Sequence, residues 1–175
     1  SECGGGKATV IAWIWARTVP SPDPAFSDVQ VPLASSFLLS AKNGREAWIE
    51  PIVDKSNKTI TYRVRYGGTS EEIEAAKLGS SAGKRKAFRC FISGDAISYE
   101  YIKQMGAKGK IGQTLLGIVA EGNRERAYLA RSDEQEEIAF SQEPAWRPQA
   151  KLQGKTRVNI SNYGIDTFGD VFTSR

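Results

Sequence analysis

Two strand-like segments joined by a short polar turn, residues 47–66, constrain the fold of this chain more than any other feature. In residues 59–66, Ile and aromatic or Val side chains alternate with Thr and Arg, and this two-residue period is typical of a half-buried β-strand. Residues 47–53 form the first arm, and Asp54-Lys-Ser-Asn-Lys58 lies between the arms. A short polar turn between two such segments favours an antiparallel hairpin. The sequence therefore predicts an antiparallel framework.

Further strands and three short helices follow from the same kind of pattern. Strands are predicted at residues 10–17, 31–40, 114–120 and 126–130, the last two forming a second hairpin. Capping boxes at residues 69–72 and 132–135 predict helices that end near residues 78 and 140, and residues 99–105 form a third, amphipathic helix. The predicted fold class is α+β, mostly antiparallel β hairpins with a few short helices. Residues 144–162 lack periodicity and are predicted to form an extended surface tail.

Length and composition predict one domain over residues 1–175. The chain has 175 residues, of which 40% are hydrophobic, enough for one sizeable core. No stretch reaches the roughly 18–20 apolar residues of a membrane span, and no signal peptide opens the chain. A cytoplasmic protein without membrane contact is therefore expected. The chain contains no histidine, which excludes the usual Ser-His hydrolase triads and His-ligated metal sites.

Positive charge concentrates in the second half of the chain. Residues 80–131 contain ten Lys or Arg and four acids, a local excess of +6 in a chain whose formal net charge is +4. A basic surface of this kind suits the phosphates of a DNA backbone, although charged segments are also often simply solvated. The candidate DNA-binding residues are Lys84, Arg85, Lys86, Arg89, Lys108 and Lys110.

The tryptophans divide into two groups. Trp13, Trp15 and Trp48 lie in predicted strands, where aromatic side chains usually pack in the core rather than stack on bases. Trp13 and Trp15 share one strand face and the apolar Ile14 lies on the other, so this strand is predicted to be covered on both sides. Trp146 lies between two prolines in the tail and is a candidate for packing against another part of a larger protein.

Several segments together resemble a known family. They are Ala8-Thr-Val-Ile-Ala-Trp-Ile-Trp-Ala-Arg-Thr-Val19, Ser36-Phe-Leu-Leu-Ser40, Ala47-Trp-Ile-Glu-Pro-Ile-Val53, Tyr99-Glu-Tyr-Ile102, Gly117-Ile-Val-Ala-Glu-Gly122 and Asn162-Tyr-Gly-Ile-Asp-Thr-Phe-Gly-Asp-Val-Phe-Thr173. They resemble the middle of the large bacterial and archaeal proteins described as adenine-specific DNA methylases containing a Zn-ribbon. The likeness covers nearly the whole chain and is weakest over residues 57–86. In that family this region is an insertion between the cofactor-binding loop and the catalytic Asp-Pro-Pro-Tyr motif.

The resemblance implies a degenerate zinc ribbon. Of the four positions where the family has cysteine, Cys90 alone matches, and Ser21, Phe26 (or Ser27) and Ser93 occupy the others. One thiolate cannot hold a tetrahedral zinc ion, so no metal is expected. Asp23-Pro-Ala-Phe26 is similar to the methylase catalytic motif, but Ala25 replaces its second proline and a Pro-rich turn is the favoured interpretation.

The expected function follows from the resemblance and the charge. The chain is predicted to be a non-catalytic insertion domain, a fragment of a larger S-adenosylmethionine-dependent, adenine-specific DNA methyltransferase, that docks on the catalytic domain and contacts DNA phosphates. No cofactor is expected in this segment, whereas S-adenosylmethionine is expected for the parent protein. The alternative is a protein-interaction or structural module with no nucleic-acid role, using the tail and the acidic helix. A third possibility is a free-standing single-strand binder. The Gly- and Lys-rich loop at residues 106–112 resembles the glycine clamp of such proteins, but a flexible loop with solvated lysines is the favoured interpretation.

Overall fold

The described residues fold into three antiparallel sheets and five short α-helices. The computed structural model describes residues 8–83, 87–121, 126–141, 146–160 and 165–171. The strands are β1 (Thr9–Pro20), β2 (Gln30–Leu33), β3 (Leu38–Ser40), β4 (Ala47–Asp54), β5 (Thr59–Tyr66), β6 (Phe88–Arg89), β7 (Ala96–Ile97), β8 (Gly112–Glu121) and β9 (Arg126–Ala130). The helices are α1 (Ser70–Leu78), α2 (Tyr99–Ala107), α3 (Asp133–Ser141), α4 (Gly154–Ile160) and α5 (Phe168–Val171).

The sheets have four, three and two strands. The largest has the order β2-β1-β8-β9, the second has the order β3-β4-β5, and β6 pairs with β7. Every strand pair among the described residues is antiparallel. The two predicted hairpins, β4–β5 and β8–β9, both form. The α+β class with mostly antiparallel pairing is therefore confirmed.

The strand predicted over residues 31–40 is broken in the structure. The backbone N–H of Ala34 donates to the Ser80 hydroxyl at 2.9 Å, and the N–H of Phe37 donates to the Ala76 carbonyl at 2.7 Å. These two N–H groups therefore donate to residues near the end of α1 and not to a neighbouring strand. The chain consequently divides into β2 and β3, which belong to different sheets.

Strand β1 is buried only over its second half. Ile11 and Trp13 are 49% and 39% exposed, whereas Val19 is fully buried. Ile14 and Ala16 pack toward the second sheet, so Trp13, which alternates with them, lies on the opposite face. The prediction that this strand is covered on both sides is therefore wrong for its first half, as is the core position of Trp13. Trp48 is buried, as predicted.

Local capping groups define the predicted helices. The Thr69 side chain accepts from the Glu72 N–H, and the Glu72 carboxylate accepts from the Thr69 N–H, which completes the predicted capping box of α1. The Ser132 hydroxyl accepts from the Gln135 N–H before α3. The tail predicted over residues 144–162 is extended only in part, because Gly154–Ile160 is helical.

Two adjoining hydrophobic clusters form the core. The first joins the ends of β1 and β2 to α2 and the β6–β7 hairpin, with Ile92 and Ile102 fully buried. The second lies between the four-stranded and three-stranded sheets and includes Ile49 and Leu116. Ile60 packs partly buried against both clusters. The first cluster therefore positions the segment that carries the predicted basic surface.

Candidate nucleic-acid interface

Two of the four predicted ribbon positions meet in the structure. The Ser21 hydroxyl oxygen and the Cys90 sulfur lie 3.2 Å apart, within hydrogen-bonding distance, although 69 residues separate them in sequence. Both residues are buried, with exposed fractions of 2% and 0%. The polar contact therefore occupies a protected place at the edge of the first core cluster.

Each of these two residues is fixed by its own turn. The Ser21 N–H donates to the Val29 carbonyl at 2.9 Å and closes the loop between β1 and β2. Within that loop a 3₁₀-helix spans Pro24–Phe26, and the Asp23 carboxylate accepts from the Ala25 N–H at 2.8 Å. This capping role supports the interpretation of residues 23–26 as a Pro-rich turn.

The second turn joins β6 to β7. The Cys90 N–H donates to the Asp95 carbonyl at 2.8 Å, and the Gly94 N–H donates to the Cys90 carbonyl at 2.9 Å. The Ser93 hydroxyl accepts from the Asp95 N–H at 3.3 Å. Ser93 therefore acts as a local turn cap.

Hydrophobic and hydrogen-bonding contacts connect the two turns. Phe26 packs partly buried against the cluster that contains Cys90. The Tyr101 hydroxyl lies 3.1 Å from the Pro20 carbonyl oxygen and 3.2 Å from that of Ser21. Burial, together with the nearby Cys90, raises the pKa of the Tyr101 phenol. The Tyr101 hydroxyl donates to these carbonyls, which lie on the turn that carries Ser21.

The described residues contain no group of three or more Cys, Asp or Glu side chains placed to hold a metal ion. The ribbon positions supply one thiol, two hydroxyls and a phenyl ring, and hydroxyl groups are poor zinc ligands at neutral pH. A buried polar contact and hydrophobic packing connect the two turns.

Three of the six predicted DNA-binding residues can be placed. Arg89 lies on β6, Lys108 follows the last turn of α2, and Lys110 precedes β8. All three are exposed, and their segments pack on the first core cluster through Phe88, Met105 and Ile111. Lys84, Arg85 and Lys86 lie outside the described residues.

Four other cations of the described residues form ion pairs that these three lack. Arg63 and Arg65 pair with Glu50, Lys77 pairs with Glu74, and Arg131 pairs with acids of α3. Within the described part of the chain, Arg89, Lys108 and Lys110 have no acidic partner within 4.0 Å. Their charge is therefore not neutralised by a described neighbour.

A basic cleft that the sequence did not reveal lies between the β3–β4 loop and the ends of β5 and β9. Its volume is about 490 Å³, and its described lining includes Lys42, Arg45, Arg126, Glu46 and two tyrosines. The cations exceed the acids among these residues by two. The Gly44 turn with basic residues on both sides was a usable signal, but nothing in the sequence linked it to Arg126.

Tyr66 is fixed at the edge of this cleft. Its hydroxyl donates to the Tyr128 carbonyl at 2.7 Å and accepts from the Tyr128 N–H at 2.8 Å. Tyr66 is nonetheless 50% exposed, and both tyrosines line the cleft. A partly exposed aromatic ring is thus held in place by two hydrogen bonds to β9.

Comparison of the chain with protein-family models, curated proteins and solved structures finds no match. Among the described residues no helix is long and apolar enough to cross a membrane.

Proposed function

We propose that this chain is a non-catalytic DNA-contacting module, namely the insertion domain of an S-adenosylmethionine-dependent, adenine-specific DNA methyltransferase. In this proposal the module docks on the catalytic domain of the parent protein and contacts DNA phosphates. The methyl donor binds to the parent, and this segment itself transfers no methyl group. The surface that contacts DNA consists of Arg89, Lys108 and Lys110, with Lys84, Arg85 and Lys86 alongside them in sequence.

The observation that carries the proposal is the contrast between paired and unpaired cations. The arginines of β5 are neutralised by Glu50 and Glu72, whereas Arg89, Lys108 and Lys110 are exposed and have no described acidic partner. Cations already held by carboxylates would lose that attraction on binding phosphate. Cations without partners release condensed counterions from DNA at no such cost.

The Ser21–Cys90 contact supports the resemblance from a different direction. A zinc ribbon brings its two turns together around the metal, and the side-chain atoms of Ser21 and Cys90, one from each turn, lie 3.2 Å apart. This buried contact and the surrounding hydrophobic packing hold the two turns together without zinc ligands. Loss of the metal is therefore compatible with a folded module.

Duplex binding measured as a function of salt tests the proposal. Phosphate contacts position a protein without reading sequence, so unrelated duplexes of equal length should bind the chain equally. With roughly three to five phosphates contacted, the slope of log affinity against log salt should be about −3 to −4. Fluorescence anisotropy of a labelled duplex at several salt concentrations measures both quantities.

Two sets of substitutions locate the surface. Replacing Arg89, Lys108 and Lys110 with alanine should reduce the magnitude of the salt slope by about 2 to 3, and replacing Lys84, Arg85 and Lys86 should act in the same direction. The matched control replaces Lys55, Lys151 and Lys155, which are exposed and lie elsewhere in the sequence. Equal losses in the control and the first set would contradict the assigned surface, and no duplex binding at low salt would contradict the function.

Trp146 favours a second candidate, a protein-interaction module without a nucleic-acid role. This side chain is 74% exposed in the tail, and large aromatic side chains often anchor protein interfaces. In this alternative, Trp146→Ala abolishes binding to the isolated catalytic domain of the parent while the wild-type chain binds no DNA. The alanine variants of the basic residues then bind the catalytic domain as tightly as the wild-type chain does.

A further inference from the structure

We propose that the basic cleft between the β3–β4 loop and the ends of β5 and β9 binds an unpaired nucleotide of a DNA strand. Its cations, Lys42, Arg45 and Arg126, would hold the phosphates, and the Tyr66 ring would stack on the base. None of its described lining residues belongs to the proposed duplex-binding surface, and the inference does not depend on that surface.

The charge of the cleft selects an anion. Lys42, Arg45 and Arg126 converge on one cavity from two sequence regions, and Glu46 is the acid among its described lining residues. The Glu46 carboxylate accepts from the Gly44 N–H at 3.2 Å, so it is engaged in shaping the loop. Among the described lining residues the cations exceed the acids by two, and this net positive charge attracts phosphate groups.

The loop that carries two of these cations is a defined turn. The Arg45 N–H donates to the Lys42 carbonyl at 2.8 Å, and Gly44 between them has a φ of 73°, which glycine adopts at little cost. The Gly67 N–H donates to the Glu46 carbonyl at 2.9 Å and fixes the end of the loop to that of β5. Lys42 and Arg45 therefore lie on a turn whose backbone is fixed by hydrogen bonds.

The aromatic wall distinguishes a nucleotide from a simple anion. Two hydrogen bonds to Tyr128 hold the Tyr66 hydroxyl, yet half of Tyr66 is exposed, and the residue lines the cleft. A base placed on a pre-oriented ring loses little additional freedom, and base–aromatic stacking combined with cations is the usual basis of single-strand binding.

Size and shape favour an unpaired nucleotide over a duplex. The cleft volume of about 490 Å³ lies within the range of roughly 300–1,000 Å³ that is typical of small-ligand sites. In a duplex both faces of each base are covered by neighbouring base pairs, so Tyr66 has no face on which to stack. A nucleotide of a single strand offers that face together with flanking phosphates.

Binding of a fluorescently labelled eight-nucleotide thymidine oligomer to the full chain tests the proposal. Replacing Lys42, Arg45 and Arg126 with alanine removes up to three phosphate contacts, so the slope of log affinity against log salt should change by about 2, at roughly 0.7 per phosphate of a single strand. The matched control is again the triple alanine variant of Lys55, Lys151 and Lys155. Equal slopes for the cleft variant and the control would overturn the proposal.

Tyr66→Leu separates stacking from charge. It should weaken binding of the oligomer by about 5- to 150-fold and leave the salt slope unchanged, because no cation is removed. Unchanged affinity would overturn the assigned stacking. Binding of thymidine monophosphate as tight as that of the oligomer would overturn the strand as ligand.

Photo-crosslinking keeps the proposal testable on the unaltered protein. An oligomer containing 5-iodo-2′-deoxyuridine should crosslink to Tyr66 on irradiation, as identified by mass spectrometry of the peptides. A crosslink at Trp13 or Trp146 in place of Tyr66 would overturn the proposal. The Arg89, Lys108 and Lys110 triple variant separates the two sites, since it should weaken duplex binding and retain the crosslink at Tyr66.

Discussion

Replacing Ser80 with alanine should destabilise the chain by about 1–3 kcal/mol. The Ser80 hydroxyl is 1% exposed and joins α1 to the segment after β2. Its oxygen accepts from the Ala34 N–H at 2.9 Å and lies 2.8 Å from the Pro32 carbonyl oxygen, to which the hydroxyl donates. The substitution leaves a buried N–H without its acceptor, and such a group costs about 1–3 kcal/mol.

The same residue ties this region to the proposed DNA-binding surface. The Arg89 N–H donates to the Ser80 carbonyl at 2.7 Å, and the Ser80 N–H donates to the Ala34 carbonyl at 2.8 Å. These backbone bonds do not involve the hydroxyl and remain possible in Ser80→Ala. The variant should therefore fold, with a reduced free energy of unfolding rather than a different structure.

Urea denaturation followed by tryptophan fluorescence measures this loss, with Trp48 as a buried reporter. The denaturation midpoint should fall while the slope with urea is unchanged, and the melting temperature should fall by about 2–12 °C, at roughly 2–4 °C per kcal/mol. Ser81→Ala is the matched control, because Ser81 is exposed and should remain within about 0.5 kcal/mol of wild type. A free energy of unfolding for Ser80→Ala within 0.5 kcal/mol of the control would refute the reasoning.

The remaining predictions concern metal, cofactor, pH and backbone conformation. Elemental analysis should find no stoichiometric zinc, since Cys90 with the Ser21 hydroxyl cannot complete a tetrahedral site, and about one zinc per chain would contradict this. Calorimetry should detect no micromolar binding of S-adenosylmethionine, because the described strands form no parallel βαβ unit. A hydrogen bond from the Ser56 side chain and hydrogen bonds from the backbone and side chain of Asn57 lower the pKa of the Asp54 carboxyl from 3.8 to about 2. Because the folded-state pKa is depressed, the stabilisation is present above about pH 4 and is lost as pH falls toward 2, so wild type and Asp54→Asn should converge in urea midpoint over this range. Gly79→Ala should cost several kcal/mol in the same assay, because its Cβ would lie 2.3 Å from the Ala34 carbonyl oxygen at a φ of 57°. Gly83→Ala, whose Cβ meets no heavy atom within 4 Å, should cost only about 1–3 kcal/mol of backbone strain.

The sequence by itself determined the elements whose causes are local. The β4–β5 hairpin follows from a two-residue alternation around a polar turn, and the Asp54 carboxylate caps that turn through neighbours two and three residues away. The Thr69 capping box likewise operates within four residues. Because these interactions are close in sequence, composition and spacing were sufficient to predict them.

Only the tertiary structure decided where strands stop and which surfaces meet. Residues 31–40 read as one strand, but the hydroxyl of Ser80 and the carbonyl of Ala76 take the N–H groups of residues 34 and 37. Alternation within β1 could not show that Trp13 lies away from the second sheet. The groups that accept from residues 34 and 37 lie more than 35 residues away in sequence.

The candidate sites divide in the same way. The excess of basic residues in 80–131 was visible in composition, and so were Arg89, Lys108 and Lys110. Their lack of described acidic partners, and the cleft formed by Lys42, Arg45 and Arg126, depend on how β3, β4 and β9 are placed. Charge is a property of the residues, whereas a site is a property of their arrangement, and contacts between distant segments set that arrangement.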